Sequence, residues 1–119
     1  MADVIVLIDD LFFQAKLLET AKQTGTTLES VATGDQLVKS AAANPASLII
    51  VDLNARQGAL DAIETLAADG TGNPRRIIAF LSHVQTDLAE RARAAGCENV
   101  MPRSKFTQNL AAILRGAKS

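Results

Sequence analysis

Leu48-Ile49-Ile50-Val51-Asp52 is the stretch that decides the fold. Its apolar residues follow one another without a polar face. Such a run is buried on both sides, as a central strand of a parallel sheet is and a half-solvated antiparallel strand is not. It then stops on a carboxylate. Two other stretches repeat the pattern: Val4-Ile5-Val6-Leu7-Ile8 runs into Asp9-Asp10, and Ile77-Ile78-Ala79-Phe80-Leu81 runs into Ser82.

Between these runs the period changes to that of helices. Phe13, Leu17, Leu18 and Ala21 fall at helical spacing over residues 11–24, and Gly25 supplies the stop. Leu37, Val38, Ala41 and Ala42 continue from Gly34-Asp35 to a break at Asn44-Pro45. Residues 58–68 place Leu60, Ile63, Leu66 and Ala67 on one side of a third helix. Asp69-Gly70-Thr71-Gly72-Asn73-Pro74 is the strongest turn cluster in the chain. A fourth helix, from Leu88 to Ala95, stops at Gly96, and the spacing of Leu110, Ile113 and Leu114 predicts a last helix over 107–116. Residues 26–31 are β-prone but partly polar, as an edge strand is. Asn99-Val100-Met101 reads as a short fifth strand closed by Pro102. Strand then helix, repeated five times, implies a parallel sheet covered by helices on both faces.

The composition narrows the function classes. The chain has 119 residues, a length that suits one domain, 1–119. Hydrophobic residues make up 48%, with four Phe and neither Trp nor Tyr, so the core is aliphatic. Lysines and arginines number 12 against 13 acids, and this near balance points to neither nucleic acid nor an anionic membrane. Cys97 is the single cysteine, which excludes an internal disulfide or a multi-cysteine metal site. The start of the chain has no basic segment leading into a long apolar stretch, and no apolar run approaches the roughly 20 residues of a membrane helix. The expectation is a cytoplasmic domain.

Parallel strands point the same way, so their polar ends lie side by side. In open α/β sheets that carboxyl edge is where ligands bind. Asp9, Asp10, Asp52 and Ser82 are therefore expected in one shallow site. One Asp after a strand is commonly only a helix N-cap, which would also account for Asp35. The Asp9-Asp10 pair together with Asp52 is less easily explained that way. Gathered carboxylates repel each other, and a cation relieves them. Oxygen donors without His or Cys suit Mg²⁺, or Mn²⁺ in its place. The matching chemistry is phosphoryl transfer, with one carboxylate as nucleophile. Gly70-Thr71-Gly72 leads into a strand, the wrong context for a nucleotide-phosphate loop. His83, the lone histidine, reads as a loop residue, Cys97 as a small apolar group, Phe13 as core and Phe12 as partly exposed near the acids.

These residues resemble the receiver domains of bacterial two-component response regulators over essentially the whole chain. VLIDD resembles the first strand with its acidic pair, NPASLIIVDLN the third strand with its acceptor, IIAFLSH the fourth with its hydroxyl, and GCENVMPRSKF the fifth-strand region. The resemblance implies a flavodoxin-like (CheY-like) doubly wound five-stranded parallel sheet of order 2-1-3-4-5. It implies a phosphoryl group received on Asp52 from a histidine kinase or phosphotransfer protein. It also implies Mg²⁺ held by Asp9, Asp10, Asp52 and the Asn54 carbonyl, and Ser82 on the phosphoryl group. Such a module is a phosphoacceptor that modifies and releases itself with Mg²⁺, and it signals by binding a downstream protein partner.

Three positions depart from the family. Arg103 stands where receivers carry a lysine, with Lys105 two residues on, and the resemblance makes both candidates to grip the phosphoryl group. Arginine forks where lysine is a point charge, so the exchange is not conservative. Val100 stands where the family has an aromatic switch residue, and the loop after Asp52 reads Ala-Arg-Gln-Gly-Ala, with only Gly58 suited to a turn. These departures favour the alternative of a degenerate pseudo-receiver that works as a phosphorylation-independent interaction module.

Overall fold

The computed structural model describes residues 3–43, 48–54, 58–67, 76–81 and 86–116. The elements are β1 (Val4–Leu7), α1 (Leu11–Thr24), β2 (Leu28–Val31), α2 (Gly34–Ala43), β3 (Leu48–Asp52), α3 (Ala59–Ala67), β4 (Arg76–Leu81), α4 (Thr86–Ala95), β5 (Asn99–Pro102), α5 (Arg103–Gln108) and α6 (Leu110–Gly116). The strands form one parallel sheet in the order β2-β1-β3-β4-β5. The unbroken apolar runs lie at its centre: β1 and β3 are buried at every position, whereas β2, the polar one, is half-buried at the edge.

Side chains alternate across a strand, so each strand feeds two cores. Ile5, Leu7, Ile49, Val51, Ile77 and Ala79 face α2, α3 and α4. Val4, Val6, Leu48, Ile50, Ile78 and Phe80 face α1, α5 and α6. Asp52 continues the Leu48–Ile50 alternation and pairs in register with Phe80. It therefore points to the α1, α5 and α6 side. α1 ends as its sequence requires: Gly25 takes the left-handed cap conformation at φ 70°, open to glycine without a Cβ penalty.

Several boundaries differ from the sequence expectations. The helix predicted over 107–116 begins at Arg103, directly after Pro102, and is broken at Asn109 into α5 and α6. The Asn109 side-chain amide donates to the Lys105 carbonyl, which also accepts from the Asn109 backbone N–H. The regular spacing of Phe106, Leu110 and Leu114, all buried, carries the signal for the earlier start. Leu18, expected on the buried side of α1, is 41% exposed, because Phe13, Leu17 and Ala21 alone fill that stripe. Ala42 is likewise exposed on α2. Ile8 lies just beyond β1, though still buried. Asn44-Pro45, the turn cluster 69–74, Ser82 and His83 lie outside the described residues, as do residues 55–57 of the loop after Asp52.

Candidate functional site

The carboxyl ends of β1 and β3 are neighbours because β1 pairs with β3 along Val4–Leu7 and Leu48–Val51. This register brings the Asp9-Asp10 segment beside Asp52. The two described acids that touch a common partner have different local duties. Asp10 is the N-cap of α1, and its Oδ1 accepts from the backbone N–H groups of Phe12 at 3.0 Å and Phe13 at 3.2 Å. The simple capping role therefore holds for Asp10, alongside any role in a site. Asp52 ends β3, and its Oδ1 accepts from the Asn54 N–H at 2.9 Å.

Each carboxylate has its second oxygen turned to one cation. The Arg103 Nη1 donates to Asp10 Oδ2 at 3.2 Å, and Nη2 lies 3.5 Å from Asp52 Oδ2. The guanidinium thus bridges residues from two strand ends that lie far apart in the chain. It rests on aromatic rings: its carbon is 4.5 Å from the Phe13 centroid and 5.6 Å from that of Phe80. Phe80 in turn stacks on Phe106 at 4.5 Å, and Phe13 meets both edge-on at 5.3 and 6.1 Å. The Arg103 Nε–H is buried and finds no acceptor among the described residues.

Electrostatics separates the two acids. The backbone N–H of Phe13, then Arg103, holds the Asp10 carboxyl below its ordinary range against some desolvation. Asp52 is pushed upward, chiefly by burial, and the charges of Asp9 and Asp10 add to that push. The Asn54 N–H and Arg103 oppose it without cancelling it. The side chain of Asp52 is only 3% exposed, against 34% for Asp10 and 31% for Arg103.

Asp10, Asp52 and Arg103 are thus brought into direct contact, and Asp9, itself exposed, is near enough to act on Asp52 through its charge. Asn54 is held beside Asp52 by its own N–H. Lys105 is not at this point of contact. Two residues along α5 is a rotation of about 200°, and the Lys105 side chain is exposed. Val100 is buried against α4, on the opposite face of the sheet from Arg103. Sequence reasoning missed the platform of Phe13, Phe80 and Phe106, which comes from three separate elements. Among the described residues no group of three or more His, Cys, Asp and Glu side chains is drawn close enough to hold a metal ion as it stands. No described helix is long and apolar enough to cross a membrane.

No family model and no curated protein matches the sequence. Solved structures match at the level of fold. The receiver domain of a sensor histidine kinase from Pseudomonas aeruginosa, with a magnesium ion coordinated in its active-site cleft, superposes with a TM-score of 0.81 at 21% identity, covering 99% of this chain and 98% of its own. A chemotaxis response regulator of Vibrio cholerae gives 0.81 at 17% identity, with 98% of each chain covered. A receiver domain from Bermanella marisrubri gives 0.79 at 16% identity over the whole of both chains. The architecture of this chain is that of the CheY-like receiver fold.

Proposed function

We propose that this chain is a receiver-type signalling module that takes a phosphoryl group onto Asp52 from a phosphohistidine of a histidine kinase or phosphotransfer protein. The observation that carries the proposal is the placement of Asp52: a carboxylate at the carboxyl end of the central strand, with a guanidinium at one oxygen and a backbone N–H at the other. In the transfer an Asp52 oxygen attacks phosphorus. The O–P bond forms as the P–N bond to the imidazole breaks, and the electron pair leaves on the imidazole nitrogen, which takes a proton from solvent. The Asn54 N–H orients the carboxylate. Arg103 lies within reach of the oxygens that would gain charge, where a fork of donors suits a phosphoryl group.

The donor chemistry fits Mg²⁺. Asp9, Asp10 and Asp52 offer hard carboxylate oxygens and Asn54 a carbonyl, and the charge of Arg103 already stands in for a cation between two of them. When bound, the ion would neutralise charge on the transferred group. Ser82 would donate its hydroxyl to the phosphoryl group. Added charge at this edge would alter the surrounding loops, and a downstream protein would read the difference.

The test is intact mass spectrometry after treatment with a small acyl phosphate and MgCl₂. One added phosphoryl mass, lost in Asp52→Asn, is the expected result. An unmodified wild type, or equal modification of Asp52→Asn, overturns the reading. The burial of Asp52 under Arg103 favours a second reading, an interaction module that works without phosphorylation. Unmodified wild type, with a partner that binds Asp52→Ala as tightly as wild type, would select it.

A further inference from the structure

Asp10 and Asp52 each commit Oδ1 to backbone N–H groups and turn Oδ2 toward one point. The guanidinium of Arg103 stands at that point, with one nitrogen on each Oδ2. The Oδ2 atoms are the carboxylate oxygens left free of backbone donors, so a cation joining the two acids there meets the guanidinium. A divalent ion and a guanidinium within a few ångströms of each other also repel, at energies that matter outside bulk water. The two cations therefore compete for these oxygens, and an Arg103 released by a metal is left free for the phosphoryl group.

We propose that Arg103 is the resident cation of this site, and that a divalent metal binds by displacing it. The proposal rests on the reading that these acids can take a metal. The held position of Arg103 is favoured by two carboxylates and the Phe13 and Phe80 rings. Against it stands the Nε–H, buried with no acceptor among the described residues, which regains water when the side chain swings out. At 31% exposure the side chain has a way to solvent. Arg103 thus sets the metal affinity of the site: binding is weakened by the fraction of molecules whose guanidinium has left. If that fraction is about one in ten, the apparent dissociation constant is about tenfold above the intrinsic one.

The experiment is a titration of the full chain with Mn²⁺ and Mg²⁺, without phosphodonor, followed by calorimetry and by ¹H–¹⁵N spectra. Arg103→Gln keeps a long polar side chain and removes the charge. It should bind Mn²⁺ more tightly than wild type, by about tenfold for a released fraction of one in ten, with paramagnetic broadening centred on residues 9–10 and 52–54. Adding Asp10→Asn should abolish the gain. In wild type, saturating Mg²⁺ should move the Arg103 Nε–H signal. That readout keeps the proposal testable if the variant folds poorly. Equal affinity in wild type and Arg103→Gln overturns the proposal while leaving metal binding intact. So does an Arg103 signal unmoved at saturation. Binding by neither protein overturns the proposal and the metal part of the receiver reading together, while phosphoryl transfer to Asp52 is judged separately by mass.

Discussion

Gly96→Ala should destabilise the fold severely, although it adds one methyl group. Gly96 joins α4 to β5 and has φ +128°, a backbone region L side chains rarely adopt. Holding a non-glycine residue in a sparsely populated region costs about 1–3 kcal/mol. A Cβ built there would lie 2.4 Å from the Ala67 Cβ at the end of α3. Carbon atoms prefer roughly 3.5–4.0 Å, so α3 and the α4–β5 connection must part. Overpacking of this kind costs about 1–3 kcal/mol. The lost flexibility of the unfolded chain returns only about 0.4–1 kcal/mol. The net expectation is a loss of about 1–5.5 kcal/mol, or roughly 4–22 °C in melting temperature at about 4 °C per kcal/mol. Urea melts at constant m-value measure it. In an Ala67→Gly background the overlap is gone, and the same substitution should cost only the backbone share less the same return, about 0–2.5 kcal/mol. A loss below about 1 kcal/mol in the wild-type background would refute the reasoning.

Phe106→Ala removes a fully buried ring stacked on Phe80. It should cost about 3–5 kcal/mol in a denaturant melt, and less than about 2 would mean the aromatic platform is not rigidly packed. Asp10→Ala deletes the α1 cap and should cost about 0.5–2 kcal/mol. Asp10→Asn keeps a capping oxygen and should recover most of that loss, which thermal melts of the pair will decide. The Cys97 thiol, buried between α4 and β5, is pushed up from 9.0 to about 11. From about pH 9 to pH 11 the folded thiol keeps a proton that the unfolded one has lost, so stability should fall as pH rises through that window. Cys97→Ala should flatten the fall, and an unchanged slope would contradict it. At neutral pH the native thiol should resist alkylation until the chain is unfolded.

Much of the architecture was legible in the sequence because burial on both faces demands uninterrupted apolar runs. Residues 4–8, 48–51 and 77–81 announced the central strands for that reason, and β2 its edge position by its polar residues. Once those strands are parallel, Asp9, Asp10 and Asp52 must gather at one rim. The boundary of the last helix was harder. Pro102 does close β5, as expected, but Arg103 and Lys105, read as candidates to grip a phosphoryl group, gave no sign that a helix begins at once. The spacing of Phe106 with Leu110 and Leu114 holds the signal, and in the fold Phe106 packs under Phe80 and Phe13 with the helix already begun at Arg103. Asp10 illustrates a different difficulty. A carboxylate after a strand reads equally as cap or ligand, and here one oxygen caps α1 while the other faces Arg103.

By itself, then, the order of residues determined which segments are strands, that they run parallel, and which rim collects the acids. These follow from local periodicity and from the solvent's exclusion of apolar surface. Tertiary structure alone decided what neutralises those acids. Arg103 meets Asp10 across 93 positions of chain, a contact set by where α5 starts and by three phenylalanines from α1, β4 and α5. No local pattern encodes such a meeting, because it is created by the stacking of layers and not by the period of any one element.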